Sequence, residues 1–102
     1  MRRIEFHPNA EQEFVDAARW YDRARPGLGE EFIQEIQWRV TRLLDAPWDG
    51  FPSRRGTRTV LAGRFPYSIV FLDRDPVIHI VAVAHTSREP DYWSRRLDET
   101  SS

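Results

Sequence analysis

The apolar residues of this chain change period once, and that change limits the possible folds more than any other feature. Up to Ala46 they recur at helical spacing. Beyond the stretch "PWDGFPSRRG", residues 47–56, they alternate with a period of two. Ala10, Phe14, Ala17, Ala18 and Tyr21 fall on one stripe of an amphipathic helix, with Pro8 near its start and "RARPGLG" at its end. A second helix, from about Gly29 to Ala46, buries Phe32, Ile33, Ile36, Val40, Leu43 and Leu44 and turns Glu and Arg outward. The short turn between them makes an antiparallel hairpin. Arg2 to Phe6 ahead of it reads as a short strand closed by Pro8.

After the change of period, Arg58 to Ala62, Phe65 to Leu72 and Val77 to Ala84 read as strands, with turns at Ala62–Gly63 and "DRDP". The order is β-α-α-β-β-β, an α+β fold with an antiparallel three-stranded meander. "SREPDYWSRRL" adds a short C-terminal helical segment after Pro90, with Trp93 and Leu97 on one side. Residues 1–97 are expected to form one domain and 98–102 a flexible tail.

A turn centred between Arg74 and Asp75 pairs Phe71 with Ile78, Ile69 with Ile80, Tyr67 with Ala82 and Phe65 with Ala84, large against small on the core face. That register sets Arg64 beside His85 on the opposite face. A one-residue slip would separate them.

The net charge of −1 argues against a general nucleic-acid binder, but charge is unevenly placed. Residues 1–50 carry 7 Arg against 10 acidic residues, and residues 51–102 carry 8 Arg against 6. From Phe51 to Leu72 there are Arg54, Arg55, Arg58 and Arg64 and no acidic residue. All 15 basic residues are Arg, the better planar clamp for carboxylate or phosphate. There is no cysteine, which excludes thiol nucleophiles and disulfides. No cofactor is expected, and no metal, since His7, His79 and His85 lack ligand spacing. Without a leader or an apolar run of spanning length, the reading is a cytoplasmic protein with no membrane association.

His85, Arg88, Tyr92 and Arg95 collect beside Arg64 at one end of the sheet. Two or more Arg with a His could bind a phosphodiester, Arg neutralising charge and His moving protons. The plainer reading pairs Arg88 and Arg95 with Glu89, Asp91 and Asp98, near them in sequence. Trp20 and Trp38 lie partly off their helical stripes, which suggests an exposed anchor for a partner.

"GTRTVLAGRFPYSIVF" followed by "VIHIVAVAHTSREPDYWSRR" resembles the RelE/ParE superfamily of toxins from bacterial type II toxin-antitoxin modules. The spacing of Ala10, Glu13, Phe14, Ala17, Trp20 and Tyr21 fits the same resemblance, which spans about residues 3–97. It implies a toxin neutralised by a cognate antitoxin, a small acidic protein of an adjacent gene. In one branch the toxin poisons DNA gyrase. In the other it is an endonuclease cutting mRNA on the ribosome, with Arg64 at the scissile phosphate, His85 near an acid–base position, and Arg58 and Tyr92 completing the site.

The chain has no Lys to match the catalytic lysines of the RNA-cutting branch and no carboxylate base within residues 51–72. Cleavage by 2′-hydroxyl attack needs a base, an acid and a phosphate clamp, and Arg is too weak an acid to supply the base. With the "FPY" and "HTSR" forms, this favours the gyrase-poisoning branch; a degenerate or antitoxin-binding-only member is the third alternative. Arg88, Trp93, Arg95 and Arg96 are then the expected target-binding residues. Arg54, Arg55, Arg58, Trp20 and Trp38 are expected to meet the antitoxin.

Overall fold

The computed structural model describes residues 1–100. Its elements are β1 (Arg3–Phe6), α1 (Pro8–Ala24), α2 (Leu28–Arg42), β2 (Phe51–Pro52), β3 (Arg58–Leu61), β4 (Tyr67–Arg74), β5 (Val77–His85) and α3 (Arg96–Thr100). The five strands form one mixed sheet in the order β1-β5-β4-β3-β2, with β1 parallel to β5 and the other neighbours antiparallel. The α+β class and the strand–helix–helix–meander order are as the sequence predicts. The two-residue β2, inside the stretch expected as loop, is an addition.

Local chemistry fixes the helix ends. Pro8 lies in the first turn of α1, where a missing N–H is no loss, and the His7 ring accepts the Asn9 N–H at 3.0 Å. One Asp22 carboxylate oxygen accepts both Gly27 N–H (3.1 Å) and Gly29 N–H (3.0 Å), stitching the end of α1 to the start of α2. Gly29 allows this close approach, because a Cβ there would collide with the Ala18 carbonyl oxygen.

The helices pack on one face of the sheet. Phe32, Ile36 and Leu43 meet Ile69, Phe71, Ile78 and Ile80, all with no solvent exposure. Each such side chain contributes roughly 1.5–3 kcal/mol relative to exposure. Tyr21, Phe32, Phe65 and Tyr67 pack ring against ring with centroids 5.0 to 6.1 Å apart. A second, smaller core lies on the other face, where Val70, Leu72, Val81, Ala82 and Ala84 are covered by Trp93, with Tyr92 and Leu97 against it.

The β4–β5 register differs from the predicted one. β4 runs on to Arg74, only Asp75 and Pro76 make the turn, and Arg74 pairs with Val77. Phe71 faces Ile80, and a β-bulge then leaves Val81 as an extra residue, so that Val70 faces Ala82 and Tyr67 faces His85. The bulge reverses the alternation along β5. Ile78, Ile80 and Val83 face the helices, while Ala82 and Ala84 turn to the other face and leave room for the Trp93 indole. Arg64 and His85 are therefore not cross-strand neighbours, and His85 shares the side of Tyr67 rather than opposing it.

The helical segment after Pro90 forms as turns followed by α3, which reaches Thr100 through residues expected to be loose. Residues 101–102 of that expected tail lie outside the described residues.

Candidate functional site

β5 ends at His85, at the rim of the sheet where two grooves meet. The first lies on the face away from the helices and is lined by Ser53, Arg54, Thr59, Ser68, His85, Arg88 and the Glu89–Trp93 turn. The second runs between α1 and the end of β5, past Glu13, Asp16, Trp20, Tyr21, Tyr67, His85 and Arg88.

His85 is held in a defined tautomer. Its Nδ1 accepts the Ser87 backbone N–H at 3.0 Å, which can only donate, so in the neutral ring the proton sits on Nε2. The ring packs edge-on against Tyr67 with centroids 5.2 Å apart. In that tautomer His85 offers a donor outward and no lone pair for a base.

Glu13 is the most heavily bonded carboxylate of the region. It takes both forks of Arg96 at 2.9 and 3.0 Å, the Tyr92 hydroxyl at 2.6 Å and the Val83 N–H at 3.1 Å, while Arg96 also donates to the Val81 carbonyl at 3.0 Å. β1 accompanies β5 only as far as Ile80. Glu13 and Arg96 thus satisfy the β5 edge where β1 has ended. Burial, followed by the hydrogen bond to Glu13, raises the Tyr92 phenol well above its ordinary range. Burial works against the Arg96 charge, but Glu13 outweighs it and holds the guanidinium above its usual range. The sequence signal was available, since Glu13 falls three residues after Ala10 and four before Ala17, next to the buried stripe. A carboxylate there calls for an internal partner.

The groove on the other face has a different internal chain. Thr59 donates to Ser53 Oγ at 2.9 Å, Ser53 and Thr57 hydroxyls meet at 2.8 Å, and Thr57 donates to the Arg54 carbonyl at 2.6 Å, which pins the loop carrying Arg54. Arg55 bonds both oxygens of Asp91 at 2.9 Å, joining its loop to the turn that lines the groove. Arg88 lies over the Tyr92 ring, 3.8 Å from its centroid.

The expected residues thus divide. His85, Arg88, Tyr92 and Trp93 come together, joined by Arg54 and by Ser53, Thr59 and Ser68, which sequence reasoning missed. Arg64 does not join them. It is exposed on the turn between β3 and β4 and forms an ion pair with Glu31 of α2, whose carboxyl that hydrogen bond lowers below its ordinary range. Arg58 donates to the Gly50 carbonyl at 2.6 Å, away from His85. Trp93 is only 5% exposed and Arg96 is committed to Glu13, whereas Arg95 is exposed. Trp20 and Trp38 are 58% and 54% exposed, and the Arg39 and Arg42 guanidiniums lie 5.0 and 5.4 Å from the Trp38 ring. Neither Arg88 nor Arg95 forms an ion pair with Glu89 or Asp91, and the Asp91 carboxylate is taken by Arg55.

No group of three or more His, Asp or Glu among the described residues is placed to hold a metal ion. None of their helices is long and apolar enough to cross a membrane.

A helical hairpin over a five-stranded sheet, with an Arg- and His-bearing groove at the end of its last strand, defines a small α+β protein. Residues 4–90 match the family described as "ParE toxin of type II toxin-antitoxin system, parDE", and the chain belongs to that family. Among solved structures it is similar to one described as "Chromosomal ParDE TA system from P. aeruginosa", with 22% sequence identity and a TM-score of 0.75 over 83% of this chain and 96% of that one. A search of curated sequences finds no match.

Proposed function

We propose that this chain is the toxin of a type II module, that it acts by binding and poisoning DNA gyrase, and that a small acidic antitoxin encoded beside it neutralises it. The observation that carries the choice of target is that the residues expected to cut RNA are engaged elsewhere. His85 Nδ1 is engaged by Ser87, the Tyr92 hydroxyl donates to Glu13, and Arg64 is bridged to Glu31. The side chains expected to cut RNA are thus committed within the fold, and Arg54 and Arg88 remain as free donors, which favours recognition over strand cutting. Arg88 and Arg95 are the proposed target contacts, positioned by the buried Trp93 and Arg96 beneath them. Trp20, at the rim of the second groove, is the proposed antitoxin anchor, with Trp38 a further exposed aromatic on α2.

The test is to induce the chain without antitoxin, assay gyrase supercoiling and map transcript ends in the same cells. Gyrase trapped on cleaved DNA with transcripts intact is expected. Ribosome-dependent cuts with supercoiling untouched would establish the nuclease reading instead.

A further inference from the structure

The walls of the His85 groove are more deliberately built than a surface dent. Arg55 (φ +59°) and Asp91 (φ +74°) are the only non-glycine residues in the left-handed region among those described, and they bond each other at the edge of the groove. Holding such residues costs on the order of 1–2 kcal/mol each and persists where the surroundings demand it. Their pairing consumes the Asp91 charge and joins the loop of Arg54 to the turn after Arg88. Among the described residues neither Arg54 nor Arg88 makes an ion pair, and both line the space between these walls. Arg88 also lies over the Tyr92 ring, 3.8 Å from its centroid, a contact that restricts its rotation.

We infer that this groove is a carboxylate socket, taking one Asp or Glu side chain of a protein partner between Arg54 and Arg88. The guanidiniums supply the charge-assisted donors that a carboxylate takes. A nucleic-acid strand suits the same groove poorly. Arg88 covers one face of Tyr92 and Trp93 is buried, so neither ring offers a free platform for a base, and Glu89 on the rim repels a continuous polyanion. The inference rests on the reading that the partners of this toxin are proteins. Because Arg88 is already the proposed target contact, the target is taken as the source of the carboxylate, and capture by the antitoxin is the other outcome that the test separates.

The test titrates the full-length chain with acetate at constant ionic strength, following Arg side-chain N–H and backbone amide NMR signals. Inorganic phosphate and a short RNA oligonucleotide are compared as probes. Saturable shifts confined to Arg54, Arg88 and the Ser68 and Thr86 amides are expected. Arg54→Ala or Arg88→Ala should weaken them about tenfold, and Arg19→Ala, on the far surface of α1, should leave them unchanged. Absence of saturation, or tighter binding of the RNA or phosphate than of acetate at this site, would overturn the inference. Arg88→Ala is then compared in antitoxin affinity and in gyrase inhibition, and the activity that falls identifies the source. Loss of neither would refute the protein-partner role. If the unmodified chain leaves gyrase untouched, the target reading fails while the acetate and antitoxin results stand apart from it.

Discussion

Glu13 shows how much one side chain can organise. Its carboxylate collects donors from β5, Tyr92 and Arg96, with side-chain exposures of 18% for Glu13 and 12% for Arg96. Glu13→Ala strands a shielded guanidinium and a strand N–H, so a loss of about 3 kcal/mol is expected in chemical denaturation. Trp38→Ala, at a site half exposed and outside the core, should stay within about 0.5 kcal/mol of the parent. The tyrosines carry a pH dependence of definite sign. Burial is the largest cause raising Tyr21, Tyr67 and Tyr92, and these are all 3 tyrosines of the chain. A folded pKa above the unfolded value of about 10 leaves stability intact below that pH and erodes it as pH rises beyond. Melting temperatures should therefore fall above about pH 10, with phenolate absorbance delayed relative to the unfolded chain. Absorbance rising at the ordinary tyrosine pH with the fold intact would contradict this.

At the scale of elements, the bulge in β5 decides which face each side chain serves. Ala82 and Ala84, expected in the helix-facing core, instead lie under Trp93, and Val83 takes the inward position. Trp93 was read from the sequence as a target anchor. Its burial instead supports a large stability effect: Trp93→Ala should cost about 3–5 kcal/mol and expose the apolar face formed by Val70, Leu72 and Val81. Circular dichroism melts with a dye for exposed apolar surface would check this. An unchanged melt with lost gyrase inhibition would return Trp93 to the interface. His7, whose Nε2 meets Glu99 Oε1 at 2.5 Å, ties α3 to the start of α1. Helical structure extends to Thr100.

For the whole molecule, the charge asymmetry visible in the sequence is largely consumed by folding. Of the four arginines in the basic window, Arg55 and Arg64 enter ion pairs and Arg58 turns to a carbonyl, leaving Arg54 at the groove. A protein interface spreads its energy over several anchors, so His85→Ala should weaken gyrase inhibition only modestly. Catalysis would behave otherwise: transcript cleavage that drops about 100-fold in the same variant would mark His85 as a proton carrier.

Helices and strands were legible because periodicity is a local property: a stripe every 3.6 residues or an alternation every two is written in neighbouring side chains. The helical hairpin, the order of elements along the chain and the apolar face of Phe65, Tyr67, Ile69 and Phe71 follow from it. The gathering of His85, Arg88 and Tyr92 was legible too, since they are close in the chain. Register was not, because one extra residue at Val81 and a turn of Asp75–Pro76 alone shift every pairing without altering local propensity. Only tertiary structure could send Arg64 to Glu31, 33 residues away, join Arg55 to Asp91, 36 away, and bring Arg96 to Glu13, 83 away. Ion pairs across such separations depend on where the backbone has already been placed by its apolar core.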